Sequence, residues 1–253
     1  MVLRYEYKYY VPARQETELR KMLSPFVSID KYALNMDNNE YTVRSIYFDT
    51  ADLFHYREKV EGFSYRKKIR LRGYNTPNGY NPVFLEIKNK HEIPLFKTRA
   101  KTTFENTVSR FETGNLYDII LSMSKNHAQA NSFLYQILAN NLRPVVNVIY
   151  ERIPFTEKVD TENQLRITFD KNLRSTAMPK LNELYEEKGV KPALPGYFIL
   201  EVKFNKFYPI WMKSIIARFQ LKHESASKYV ICMDSQEIPM KYNRYRIWEQ
   251  KFI

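Results

Sequence analysis

Arg4-Tyr5-Glu6-Tyr7-Lys8, Lys68-Ile69-Arg70-Leu71-Arg72 and Glu201-Val202-Lys203 share one pattern: ionisable groups two residues apart, with aromatic or apolar residues between them. Glu86-Ile87-Lys88, Lys97-Thr98-Arg99-Ala100-Lys101 and Arg166-Ile167-Thr168-Phe169-Asp170 repeat it. Residues i and i+2 of a strand point to the same side, so each stretch reads as a strand with one charged face and one largely apolar face. Cations dominate the charged faces, with one carboxylate on several of them. Two arrangements follow. A charged face ordinarily meets solvent, with the apolar faces forming the core. Against that, like charges on neighbouring strands repel on an open sheet without a bridging anion. If the strands close with the charged faces inward, the lumen holds a basic field that only a polyanion neutralises, which makes a phosphate-chain site.

The bulk numbers agree with a folded, anion-seeking chain. The 253 residues suit one generous domain, and 44% hydrophobic with 15% aromatic residues is ample for a core. A formal charge of +12 points to nucleic acid, a membrane surface or polyphosphate. The cations are interleaved with apolar residues instead of forming a tail, which argues against a simple nucleic-acid arm. Cys232 is the sole cysteine, so no intrachain disulfide is possible, and its apolar run reads as a buried structural thiol. No secretion signal and no run of roughly 20 apolar residues stands out, so a cytoplasmic protein without a transmembrane segment is expected.

Strands are expected over 3–11, 41–49, 64–73, 83–90, 95–103, 144–155, 161–171 and 196–204, in meander order, with turns at 75–79 and 91–94. Helices are expected over 13–23, through Tyr56 after Asp49-Thr50 as a cap, over about 209–221, and over about 226–234 with Ser225 as cap. The region 105–140 changes to helical period and reads as an insertion of two helices with the Ser/Asn/His stretch 122–132 as the break between them, and 179–196 reads as a surface excursion. Many amphipathic strands with turns between them favour a barrel or sandwich. The four histidines, His55, His91, His127 and His223, have no metal-ligand spacing. No Walker-type glycine loop is present, so a nucleotide would be held by side chains.

Taken in order, Arg4-x-Glu6-x-Lys8-Tyr9, Ile46-Tyr47-Phe48-Asp49, Lys68-x-Arg70-x-Arg72, Glu86-x-Lys88, Lys97-x-Arg99, Tyr150-x-Arg152, Arg166-x-Thr168-x-Asp170, Glu201-x-Lys203 and Ser227-Lys228 resemble the VTC domain. This is the catalytic domain of vacuolar transporter chaperone polyphosphate polymerases, in the triphosphate tunnel metalloenzyme (CYTH-like) superfamily. The resemblance covers about residues 3–234. It implies an α+β fold built on a closed antiparallel β-barrel tunnel with a charged lumen and helices packed outside, as one domain over 1–253. It also implies a divalent metal, Mn²⁺ or Mg²⁺, and transfer of the γ-phosphate of ATP onto phosphate or a growing polyphosphate chain. The CYTH branch opens Glu-x-Glu-x-Lys; here Arg4 replaces the first Glu, which favours the VTC branch. Fungal members carry an SPX domain and membrane helices that this chain lacks, which leaves room for a membrane-protein partner.

On this reading Arg70, Arg72, Lys88, Arg152, Arg166 and Lys203 are the catalytic cations. Lys8, Lys97, Arg99, Tyr150, Ser227 and Lys228 bind phosphate, and Glu201, then Glu86 and Glu6, are the metal ligands. The residue types fit the chemistry. Guanidinium forks match phosphate oxygens, ammonium groups act as compact charges, and carboxylates suit a hard divalent ion. A phosphate acceptor is already a nucleophile and needs no protein base. Three rivals remain open: a triphosphatase with the same tunnel, a non-catalytic module binding polyphosphate or an inositol phosphate, and a nucleic-acid barrel. Nucleic acid is not the expected partner.

Overall fold

The computed structural model describes residues 4–76, 82–91, 95–112, 114, 127–159 and 161–241. Parts of the expected turns at 75–79 and 91–94, most of 113–126, and the basic aromatic segment after Lys241 lie outside these residues. From the N-terminus the elements are β1 (Tyr5–Pro12), α1 (Glu16–Leu23), β2 (Val27–Ile29), β3 (Tyr41–Asp49) and α2 (Phe54–Val60). Then come β4 (Tyr65–Tyr74), β5 (Pro82–His91), β6 (Leu95–Thr103), α3 (Phe104–Glu112) and α4 (His127–Ala139). The chain continues with β7 (Arg143–Glu157), β8 (Arg166–Ala177), a 3-10 turn (Leu181–Tyr185), β9 (Lys191–Pro192), β10 (Tyr197–Phe204), α5 (Ile210–Arg218) and α6 (Lys228–Ser235). The result is α+β, with antiparallel strands and helices.

The chain divides into two compact units. The first comprises Met1–Thr42, Tyr150–Leu173 and Leu194–Ser227; the second comprises Val43–Ile149, Arg174–Ala193 and Lys228–Ile253. In the first unit β1 runs antiparallel to β10, and β10 antiparallel to β8. Here the expected meander order fails. The N-terminal strand pairs with the last strand because their charges interlock: Glu6 stands opposite Lys203 and Lys8 opposite Glu201. The apolar faces of these strands and of β7 supply Tyr9, Val11, Phe155, Ile167, Phe169, Phe198, Leu200 and Val202, capped by Leu19 and Leu23 of α1 and Met212 and Ile215 of α5. In α1, Glu16 and Glu18 in the first turn and Arg20 and Lys21 in the last turn complement the helix dipole.

The second unit does follow the meander, β3-β4-β5-β6. The apolar faces of these strands present Ile46, Phe48, Ile69, Leu71, Leu85, Ile87 and Ala100 to Ala130, Phe133, Leu134 and Ile137 of α4. Those four lie at i, i+3, i+4 and i+7, one stripe of a helix, and Phe133 and Ala130 are fully buried. Asp49 caps α2 as the sequence suggests, but from a distance: the helix starts at Phe54, after Leu53, and runs to Val60. Its carboxylate accepts from the backbone N–H groups of His55 and Tyr56, while Thr50 Oγ1 accepts from Phe54 N–H.

Several boundaries move: α2 runs past Tyr56 to Val60, and α5 ends at Arg218, short of 221. The strand expected over 161–171 covers 166–177, because Asn163 Oδ1 accepts from the N–H groups of Lys206 and Phe207 and Gln164 adopts φ 46°, tying 161–164 into a turn. The last helix begins at Lys228, not 226. Among the described residues neither unit's sheet closes on itself, and no helix is long and apolar enough to cross a membrane.

Candidate functional site

In each unit the helices cover the apolar side of the sheet, so the alternating ionisable groups gather on the other side. In the first unit Lys8 Nζ stands 2.8 Å from Glu6 Oε1 and 3.5 Å from Glu201 Oε1. Lys203 Nζ stands 3.0 Å from Glu201 Oε2 and 3.5 Å from Glu6 Oε2. Two ammonium groups and two carboxylates thus alternate around one square. Arg152 of β7 adds a third cation, with Nη2 3.5 Å from Glu201 Oε2. Its Nε and Nη2 donate to the two oxygens of the buried Asp170 at 2.6 and 2.7 Å, and its guanidinium lies over the Tyr150 ring. Burial pulls the Arg152 pKa down, but Asp170, Tyr150 and Glu201 outweigh it and hold the group well above its ordinary value. Arg166 pairs with Asp30 at 3.4 Å. Burial, then the charge of Arg166, pulls Arg4 below the ordinary arginine value. Ser227 is buried in this unit, beside Ala226, whose carbonyl accepts from Lys8 Nζ.

In the second unit three guanidinium groups converge on Glu86, which is 1% exposed. Arg70 Nη2 and Nε lie 2.7 and 2.8 Å from Glu86 Oε2, Arg99 Nε lies 3.2 Å from Oε1, and Arg72 Nε lies 3.8 Å from Oε2. Arg70 also donates to Tyr47 Oη at 2.8 Å and Arg72 to Ser45 Oγ at 3.2 Å. Beside them the register sets Lys68 opposite Lys88 and Lys88 opposite Lys97. The side chain of Lys97 lies outside those described. The field is visible in Tyr74: burial raises its phenol, yet Arg72 and Arg99 bring it below the ordinary tyrosine value. Lys228 is buried at the start of α6.

The sequence-derived residues therefore fall into two groups. Glu6, Lys8, Tyr150, Arg152, Arg166, Glu201, Lys203 and Ser227 belong to the first unit; Arg70, Arg72, Glu86, Lys88, Arg99 and Lys228 belong to the second. Sequence reading underrated Asp170, Tyr47 and Ser45, which hold the arginines in place. Alternation was the available signal: Ser45 and Tyr47 sit opposite Arg72 and Arg70 in register. Among the described residues no group of three or more His, Cys, Asp or Glu side chains is placed to hold a metal. Glu86 is in a different unit from Glu6 and Glu201, and three arginines engage it. Glu6 and Glu201 are the donor pair that fits a magnesium-like ion, since such ions take one or two carboxylates and complete their shell from phosphate and water.

Comparison with known proteins places these faces in a family. The chain is 26% identical over 184 residues to vacuolar transporter chaperone complex subunit 4 of Schizosaccharomyces pombe, covering 66% of this chain and 25% of the relative. It is 25% identical over 219 residues to the subunit of the same name in Trypanosoma cruzi, covering 74% of this chain and 27% of that protein. The chain thus spans about a quarter of the length of these relatives. Among solved structures, HpAC1 from Hippeastrum, an adenylyl cyclase candidate described as revealing a dominant triphosphatase activity, is 12% identical. The match covers 90% of this chain and 94% of that one, with a TM-score of 0.44. The VTC domain model matches residues 3–236, nearly the whole chain, and the protein belongs to the VTC domain family.

Proposed function

We propose that this protein is an ATP-dependent polyphosphate polymerase, working on its charged strand faces. The observation that carries the reading is the convergence of Arg70, Arg72 and Arg99 on the one buried carboxylate of Glu86, beside the opposed Lys68 and Lys88. Such a face has more positive charge than its own carboxylate neutralises, and a triphosphate supplies the balance. Phosphoryl transfer asks for positioning and charge neutralisation more than for covalent help from protein. In the proposed reaction an oxygen of the acceptor phosphate bonds to the γ-phosphorus while the bond from that phosphorus to the β–γ bridging oxygen breaks, and ADP leaves with the electron pair. Arg70, Arg72, Arg152 and Arg166 offer forks to the non-bridging oxygens. Lys8, Lys88, Lys97, Lys203 and Lys228 neutralise charge on the chain, and Arg99, Tyr150 and Ser227 orient it. Glu6 and Glu201 would hold Mg²⁺ or Mn²⁺, which when bound supplies further neutralisation of the phosphate oxygens. The membership of a family represented by a transporter chaperone complex supports a protein partner.

The face itself is tested by ATP binding. Arg70→Ala and Lys8→Ala each remove a charge-assisted contact worth about 1–3 kcal/mol, so equilibrium dialysis with ATP shows affinity falling several-fold or more in each. Wild-type affinity in both variants would mean that neither face meets the nucleotide.

A further inference from the structure

A second pair of arginines lies away from the charged faces, in the second unit. Arg44 falls on the apolar side of β3 with Ile46 and Phe48, and it is 5% exposed. Its Nε donates to the carbonyl of Asn75 at 3.0 Å and its Nη2 to Glu187 Oε1 at 2.6 Å. Its Nη1 is buried and makes no hydrogen bond among the described residues. Arg174 of β8 grips the same carboxylate as a fork, Nε to Oε2 and Nη2 to Oε1, both at 2.9 Å. Two guanidinium groups therefore meet at one carboxylate, and Arg44 Nη1 lacks an acceptor among the described residues. Glu187 itself is on the loop between the 3-10 turn and β9, with its side chain 38% exposed, two residues before Gly189 at φ 70°. Around it, Glu183 is committed to the Lys180 N–H, Glu186 is exposed, and the loop continues with the exposed Lys188 and Lys191.

We propose that Arg44 and Arg174 form a second anion site, for a phosphate group, which Glu187 plugs in the unliganded protein. The Glu187 carboxylate stands where two phosphate oxygens would sit. A phosphate has a further oxygen for Arg44 Nη1, which a carboxylate held by both arginines cannot supply. Opening the plug moves an exposed loop with a glycine beside it, not the sheet. The site does not depend on the polymerase reading.

The test is calorimetric titration of the full chain with inorganic pyrophosphate and, separately, orthophosphate; the pair distinguishes a chain end from a single phosphate. Glu187→Gln keeps the loop's shape and removes the competing charge. It should add a binding event, or tighten one at least tenfold, with one or both anions, and Glu187→Gln/Arg174→Gln should abolish that gain. Isotherms of Glu187→Gln identical to wild type with both anions would overturn the proposal. In the wild type, excess pyrophosphate should accelerate hydrogen exchange across 186–191 as the plug is displaced. Unchanged exchange there would overturn it as well, and this arm stands even if the variants fail to fold.

Discussion

At the scale of single residues, what decides the behaviour of each ionic group is whether its partner is removed alone. Asp170 is 1% exposed and holds Arg152 through two short hydrogen bonds. Asp170→Asn leaves a buried guanidinium short of its counter-charge, a loss of about 3–5 kcal/mol in such settings; urea unfolding should report it, and an unchanged midpoint would mean Arg152 is carried by Glu201 alone. Glu201→Gln preserves the shape of a side chain held by Lys8, Lys203 and Arg152, so ATP turnover should vanish while circular dichroism stays native. Retained turnover would remove Glu201 from the metal assignment. Glu187 offers a pH test. Its hydrogen bonds to Arg174, and then to Arg44, hold its pKa below the ordinary 4.5 against partial burial. A depressed carboxylate contributes stability above its unfolded pKa and loses it as pH falls through the folded value. The Tm gap between wild type and Glu187→Gln should therefore be widest near neutral pH and close below about pH 4. A gap that widens in acid would contradict the pairing. Burial pushes Cys232 up to about 12, against small opposing effects from Ser175 and Lys228, which fits a structural thiol and not a nucleophile.

At the scale of elements, the apolar faces carry the stability and the charged faces ride on them. Gly73 shows how closely these layers fit. A Cβ there would come within 2.5 Å of Tyr185 Oη and 3.1 Å of Leu184 Cδ2, and Leu184 is fully buried. Gly73→Ala should cost about 1–3 kcal/mol, as overpacked sites do, and Tyr185→Phe in the same chain should recover part of it. An unaltered melting temperature for Gly73→Ala would show that the turn yields freely. Much of this layer was legible in the sequence. The i, i+2 charge alternation placed β1, β4, β5, β6, β8 and β10, and the helical period of 105–140 announced α3 and α4, although α4 begins at His127, inside the break expected over 122–132. The short β2 and β9 were not legible, because two or three residues have no period. The β8 boundary was missed because Asn163 binds a segment forty residues away, which local pattern cannot register. The pairing of β1 with β10 was likewise invisible strand by strand, although the complementary order Glu6-x-Lys8 against Glu201-x-Lys203 encoded it.

At the scale of the whole molecule, the +12 charge is concentrated in patterned strands and not in tails. The residue types of the candidate site were readable because strand period alone sorts them onto one face. The members that orient them, Asp170, Tyr47 and Ser45, were harder to see, since a carboxylate or hydroxyl among cations has many possible partners until register is fixed. A polyphosphate site also predicts selectivity: tripolyphosphate should displace bound ATP, whereas a single-stranded oligonucleotide should bind weakly and lose that binding steeply with salt. Oligonucleotide binding that survives high salt would contradict it. The central claim is the fate of the γ-phosphate. Purified protein incubated with γ-labelled ATP and Mn²⁺, with products resolved on a polyacrylamide gel, should give a ladder of labelled chains that lengthens with time; labelled orthophosphate alone would make the protein a triphosphatase and contradict the account.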